Sequence, residues 1–230
     1  MSEVALVTGA ARGIGREVAR QLAASGMLVL VAARGRAAAE EVASEVGGRA
    51  LTLDVTSGSD VVEVRRVVEE TGLDVLVNNA AAFPDWEATP LTVDLAELEK
   101  SWLTNVVGPW RLVQTLVPVL RRSSAPRIVN VTSGSGSHGD PQFGLSGGPG
   151  MAPYAVTKAA ANAWTRKLAA ALPEMRVNAV DPGLTATAPG MEAMGARPVS
   201  DGASSVVWAA TLPPDGPTGG FFRDGAPLAW

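Results

Sequence analysis

A doubly wound α/β fold, one parallel sheet with helices on both faces, is predicted by three features of this 230-residue sequence. Short apolar runs alternate with longer amphipathic stretches. Such short, mainly apolar runs are expected of strands buried on both faces. A turn with three glycines joins the first run to the first amphipathic stretch.

Residues 4–7, 28–32, 50–53, 75–77, 128–131 and 177–180 read as the buried strands. Between them, 14–24, 37–46, 61–70, 95–120 and 154–172 read as helices. Strands and helices alternating at this spacing imply right-handed βαβ crossovers. No composition break or repeat divides the chain, so 1–230 is expected to form a single domain. Two segments fall outside the alternation. Residues 134–153 are rich in Gly, Ser and Pro, and 186–199 place Met191 and Met194 among small residues. Loops at the carboxyl ends of parallel strands are where such folds hold ligands, so both are expected to be substrate loops.

Hydrophobic residues make up 47% and charged residues 18%, a globular composition that leaves little room for disorder. The formal net charge of -4 gives no electrostatic case for nucleic acid or an anionic membrane surface. With no cysteine, disulfides, thiol nucleophiles and cysteine zinc sites are excluded. The single His138 cannot supply a multi-histidine site, so no metal is expected. The start runs from Glu3 directly into the first strand, unlike a signal peptide. No apolar run approaches the ~20 residues of a membrane helix. These features predict a cytoplasmic protein whose partner is a small molecule.

The turn reads Thr8-Gly9-Ala10-Ala11-Arg12-Gly13-Ile14-Gly15. A strand-to-helix turn of this kind aims backbone N–H groups and a positive helix end at a phosphate. Gly9 permits the tight turn, Gly13 allows close backbone approach, and Gly15 lets the helix pack near the sheet.

The glycine spacing differs from the common dinucleotide fingerprint and resembles that of the short-chain dehydrogenase/reductase family, which has a Rossmann-like fold. Further motifs follow in the family's order across essentially the whole chain. Asp54-Val55 resembles its adenine-contacting pair. Asn78-Asn79-Ala80-Ala81 resembles its Asn-Asn-Ala-Gly turn, with Ala81 replacing glycine. Asn105, Ser133, Tyr154 and Lys158 match its catalytic tetrad, and Pro182-Gly183 with Thr187 resembles the segment holding the nicotinamide carboxamide. The C-terminal half looks closest to the carbonyl-reductase branch. The family includes monomers, dimers and tetramers, so the resemblance leaves oligomeric state open.

The end of the second strand bears on the cofactor. An NAD site places a carboxylate there for the ribose 2′-OH, but this chain has Ala33 followed by Arg34, with Arg12 in the glycine turn. Two guanidinium groups suit a 2′-phosphate, which predicts NADPH/NADP+.

Tyr154 and Lys158 stand at i and i+4 and share a helix face. A free phenol has a pKa of about 10. A neighbouring ammonium is expected to lower it towards working range. Ser133 can donate to a substrate oxygen. Pro109 has no N–H for the Asn105 carbonyl, so the long helix is expected to kink there and leave an acceptor for a proton-relay water. The resemblance then implies hydride transfer to a ketone or aldehyde, with Tyr154 as proton donor. Phe83, Trp86, Phe143, Leu145, Met151, Met191 and Met194 flank this end of the fold and suggest an apolar or aromatic substrate. Oxidation of a secondary alcohol of sugar or steroid type, or NADP sensing without catalysis, are the alternatives.

Overall fold

The computed structural model describes residues 2–83 and 85–230. Its described residues form one eight-stranded sheet: β1 (Val4–Thr8), β2 (Leu28–Ala33), β3 (Arg49–Thr52), β4 (Val75–Asn78), β5 (Arg127–Val131), β6 (Arg176–Val180), β7 (Phe221–Arg223) and β8 (Ala226–Pro227). The spatial order is β3-β2-β1-β4-β5-β6-β7-β8. Every neighbouring pair is parallel except β7 with β8. The doubly wound prediction therefore holds, and the order reverses between β1 and β4. That reversal opens a crevice at the carboxyl edge.

The helices are α1 (Gly13–Ala24), α2 (Arg36–Val46), α3 (Gly58–Thr71), α4 (Leu95–Trp102), α5 (Gly108–Leu120), α6 (Ala152–Ala171) and α7 (Val199–Ala210). Alternate strand residues face opposite layers. Leu6, Leu30, Leu76 and Ile128 pack on the side of Val64 in α3, Leu116 in α5 and Trp164 in α6. Val7, Val31, Val77 and Val129 pack on the side of Val18 in α1, Val42 in α2 and Val206 in α7. α1 illustrates the local logic. Val18 and Leu22 lie one turn apart on its buried face, and Ser25 closes its end by donating to the Leu22 carbonyl at 2.7 Å.

Three elements depart from expectation. The 186–199 segment runs directly into α7, which the sequence hides. Gly202 and three serines give α7 weak helical composition, but Gly202 packs closely on Thr185, where a Cβ would lie 2.5 Å from the hydroxyl oxygen. The β7–β8 hairpin is too short to register as periodic apolar sequence. The single helix expected over 95–120 is α4, a π turn over Leu103–Val107, and α5. Gly108 donates to the Leu103 carbonyl across this wider turn, and Pro109 has no N–H for Asn105. Among the described residues, no helix is long and apolar enough to cross a membrane.

Candidate active site

The glycine turn connects β1 to α1. Gly9 and Gly13 adopt φ of 65° and 53°, left-handed values that suit glycine. Gly15 has no room for a side chain, because a Cβ would strike Asn79 and lie 2.5 Å from the Gly9 carbonyl oxygen. α1 has no side-chain cap and no acidic residue in its first turn. Its N–H groups therefore suit an anionic ligand, in contrast to α3 and α4, capped by Ser57 and Asp94. Arg12 occupies the N-cap position, and Arg34 follows β2; both are exposed. Among the described residues neither makes an ion pair, whereas Arg36 binds Glu40 and Arg16 binds Glu45. The uncapped helix, the glycine cradle and these two guanidinium groups fit a dinucleotide with phosphate groups.

Asn79 and Thr8 brace the turn. Asn79 donates to the Thr8 carbonyl at 2.8 Å and the Gly9 carbonyl at 3.3 Å, so its amide latches the glycine turn. The Thr8 hydroxyl accepts from the Asn79 and Ala80 N–H groups, each at 3.0 Å. Asp54 accepts from the Thr56 N–H and hydroxyl, and Val55 is buried against Gly108. Gly183 has φ 71°, and its N–H reaches Asp181 at 2.7 Å. Pro182 directly precedes it. Thr187 extends over the glycine turn, close to Gly13. Ile14 sits in the first turn of α1.

The tetrad positions lie around one point at the carboxyl edge. Ser133 follows β5 by two residues rather than ending it, and its hydroxyl accepts from the Ser135 N–H at 3.1 Å. Tyr154 and Lys158 occupy the start of α6 and are both buried. The unpaired N–H groups at that start bond to the carbonyls of Trp86 and Ala88. The Lys158 Nζ donates to the Val131 carbonyl at 2.8 Å and lies 5.4 Å from the Tyr154 ring centroid. Asn105 sits in the π turn. Its side chain pairs with Ala82 in both directions, at 2.8 and 3.0 Å, and donates to Thr157 at 3.0 Å.

The electrostatics correct one expectation. The Tyr154 phenol is pushed above its ordinary value, first by burial and then by Asp181, while the Ser133 hydroxyl pulls the other way. Lys158 is not among the groups that bring it down, and burial pushes the lysine itself to about 8, with Asp181 opposing. The resting phenol is therefore protonated.

The aromatic residues also converge. The Phe83 ring lies 4.0 Å from that of Tyr154 and 4.8 Å from that of Trp86, centroid to centroid, and Met151 takes φ 57° just before α6. Phe143 and Met194 are exposed, Leu145 and Met191 partly so, and His138 is exposed.

Sequence reading missed a buried polar seam behind the tetrad. Asn78 donates to Asn130, and Asn130 donates to Thr165, at 2.8 and 2.9 Å. It also missed Asp181 and Arg223, which pair although they lie on different strand ends. The only sequence signal for these was a polar residue at the end of an apolar run.

A family model described as short chain dehydrogenase matches residues 3–196. The chain is 36% identical to the 3-oxoacyl-[acyl-carrier-protein] reductase FabG of Staphylococcus epidermidis over 195 residues, covering 80% of this chain and 75% of that one. It is 31% identical to (+)-neomenthol dehydrogenase of Arabidopsis thaliana, covering 95% of each chain. The solved structure of salutaridine reductase from Papaver somniferum matches with a TM-score of 0.79 at 26% identity, over 96% of this chain and 99% of that chain.

Proposed function

Because the chain belongs to the short-chain dehydrogenase family, we propose that it is an NADPH-dependent reductase of a ketone or aldehyde on a small apolar or aromatic compound. One observation carries this reading. A buried, protonated Tyr154 stands beside Ser133 and Lys158 at the open edge of the sheet. A phenol placed beside a hydroxyl and an ammonium can hand a proton to a carbonyl oxygen, and the reverse oxidation of an alcohol would use the same residues. A sensor without catalysis has no use for Asn, Ser, Tyr and Lys gathered in this way.

Arg12 and Arg34 hold the 2′-phosphate, and the first turn of α1 holds the pyrophosphate. Pro182, Gly183 and Thr187 close over the nicotinamide end, with Asp54 and Val55 at the adenine. When bound, the cofactor supplies the hydride that reduces the carbonyl carbon. Ser133 donates to the carbonyl oxygen, and Tyr154 delivers the proton to it. Lys158 resupplies that proton, and Asn105 fixes the path by clamping Ala82 and Thr157. Phe83 and Trp86 form an aromatic wall beside the phenol, which supports a substrate with a flat or apolar body. The short 186–199 segment and the Leu212-Pro213-Pro214 and Gly219-Gly220-Phe221 stretches support placement near the carbonyl-reductase branch.

The test is NADPH consumption by the purified protein against a panel of ketones, aldehydes and quinones, repeated with NADH. Turnover with at least one class and a clear preference for NADPH is expected. A preference for NADH would overturn the cofactor assignment, and alcohol oxidation without any carbonyl reduction would overturn the direction.

A further inference from the structure

Asp181 is a buried carboxylate with no part in the reaction just described. It lies at the end of β6 and is 3% exposed. One oxygen accepts from the Gly183 N–H at 2.7 Å, and the other accepts from the Gly134 N–H at 2.9 Å. Gly134 follows Ser133 directly, and Gly183 belongs to the turn that covers the nicotinamide end. The second oxygen also pairs with the Arg223 guanidinium from β7. Arg223 in turn reaches Asp140 at 3.3 Å. Asp140 belongs to the loop after Ser133, where it accepts from the Gln142 and Phe143 N–H groups at 2.9 and 2.8 Å. Gly134 sits between the two carboxylates, with no room for a side chain there.

We propose that Asp181 is a positioning residue of this site: its carboxylate ties the Ser133 turn to the Pro182-Gly183 turn, and Arg223 with Asp140 sets the charge that faces Tyr154 and Lys158. The charge count is simple. Two carboxylates against one guanidinium leave a single negative charge, and Lys158 is the cation that balances it. Arg197 is not part of this count, because it is paired with Asp224 at 2.8 Å. Asp181 and Ser133 thus act on Tyr154, Lys158 lies 5.4 Å from its ring, and Arg223 and Asp140 stand behind Asp181.

This arrangement serves two ends. Mechanically, one buried atom pair fixes the hydroxyl of Ser133 relative to the turn over the cofactor. Electrostatically, the negative charge adds to burial in raising the Tyr154 phenol and partly offsets the burial that lowers Lys158.

Tyr154 is the only tyrosine in the chain, so its ionisation can be read directly from the ultraviolet tyrosinate band, with or without turnover. Asp181→Asn removes the negative charge. The band should then grow in at lower pH by roughly one unit, and the alkaline fall of kcat/KM should move the same way. Arg223→Gln leaves the two carboxylates unbalanced and should move both readouts to higher pH. Asp140→Asn should follow Asp181→Asn in direction. In Asp181→Asn, KM for NADPH should rise as well, since the Gly183 turn loses its anchor.

A purely structural role would lower activity in all three variants without opposite shifts. Readouts that coincide with wild type, or that shift in the same direction for Arg223→Gln and Asp140→Asn, overturn the proposal. If Asp181→Asn does not fold, those two variants still decide it. The proposal rests on the reductase reading, and the two fail separately. Absence of turnover in wild type defeats the reading. An active wild type with unmoved titrations in the variants defeats the positioning role.

Discussion

Lys158→Met should make the protein more stable while abolishing its activity. Burial pushes the lysine from 10.5 down to about 8 in the folded chain. Each unit is worth about 1.4 kcal/mol, so holding the ammonium in the folded state costs roughly 3 kcal/mol. The penalty is complete below the folded value of about 8 and disappears as pH rises through 10.5. Between those values the unfolded chain binds more protons, so wild-type stability rises with pH. Methionine removes the penalty but leaves the Val131 carbonyl without its partner at 2.8 Å, a loss of about 1 kcal/mol. The net gain near neutral pH is about 2 kcal/mol, or roughly 4–8 °C in Tm for a chain of this size. Above pH ~10 the gain should vanish or reverse. Urea unfolding of both proteins at two pH values measures this. A variant less stable than wild type at neutral pH, or a difference independent of pH, would refute the reasoning.

Other perturbations test other parts of the site. Arg34→Ala should raise KM for NADPH roughly 10- to 100-fold, the worth of one charge-assisted hydrogen bond, and leave KM for NADH nearly unchanged; steady-state kinetics with both cofactors would show it. Gly15→Ala should abolish cofactor binding, because its Cβ would collide with the Asn79 latch and the Gly9 carbonyl, and titration calorimetry with NADP+ reads the loss. Asn105→Ala leaves the Ala82 N–H and carbonyl without their side-chain partner and should cost roughly 2–4 kcal/mol in denaturant unfolding, together with a fall in kcat.

The parts of the fold legible in the sequence were those whose signal is local. Five buried strands announced themselves as apolar runs because both of their faces are covered, whereas β3, at the sheet edge, is exposed at Arg49 and Thr52. The glycine turn was legible because Gly9 and Gly13 take left-handed φ and Gly15 has no space for a side chain. The i, i+4 spacing of Tyr154 and Lys158 placed both at the start of α6. What was hidden depends on partners distant in sequence. Arg223 meets Asp181 only because β7 lies beside β6, and β7 is three residues long. Asn79 looks like a cofactor ligand in sequence, yet its amide is engaged with Thr8 and Gly9. The direction of the Tyr154 shift was misread for a related reason. Spacing reveals that Lys158 is near, but not that both groups are buried and that Asp181 faces them.

The central claim is that Tyr154 donates the proton in an NADPH-dependent carbonyl reduction. Tyr154→Phe keeps the ring that stacks on Phe83 and removes only the hydroxyl. Its turnover with a carbonyl substrate of the wild-type enzyme is the most direct measurement, alongside NADPH binding followed by tryptophan quenching. Near-complete loss of turnover with binding retained is the predicted result. Turnover comparable to wild type in the phenylalanine variant would contradict the account.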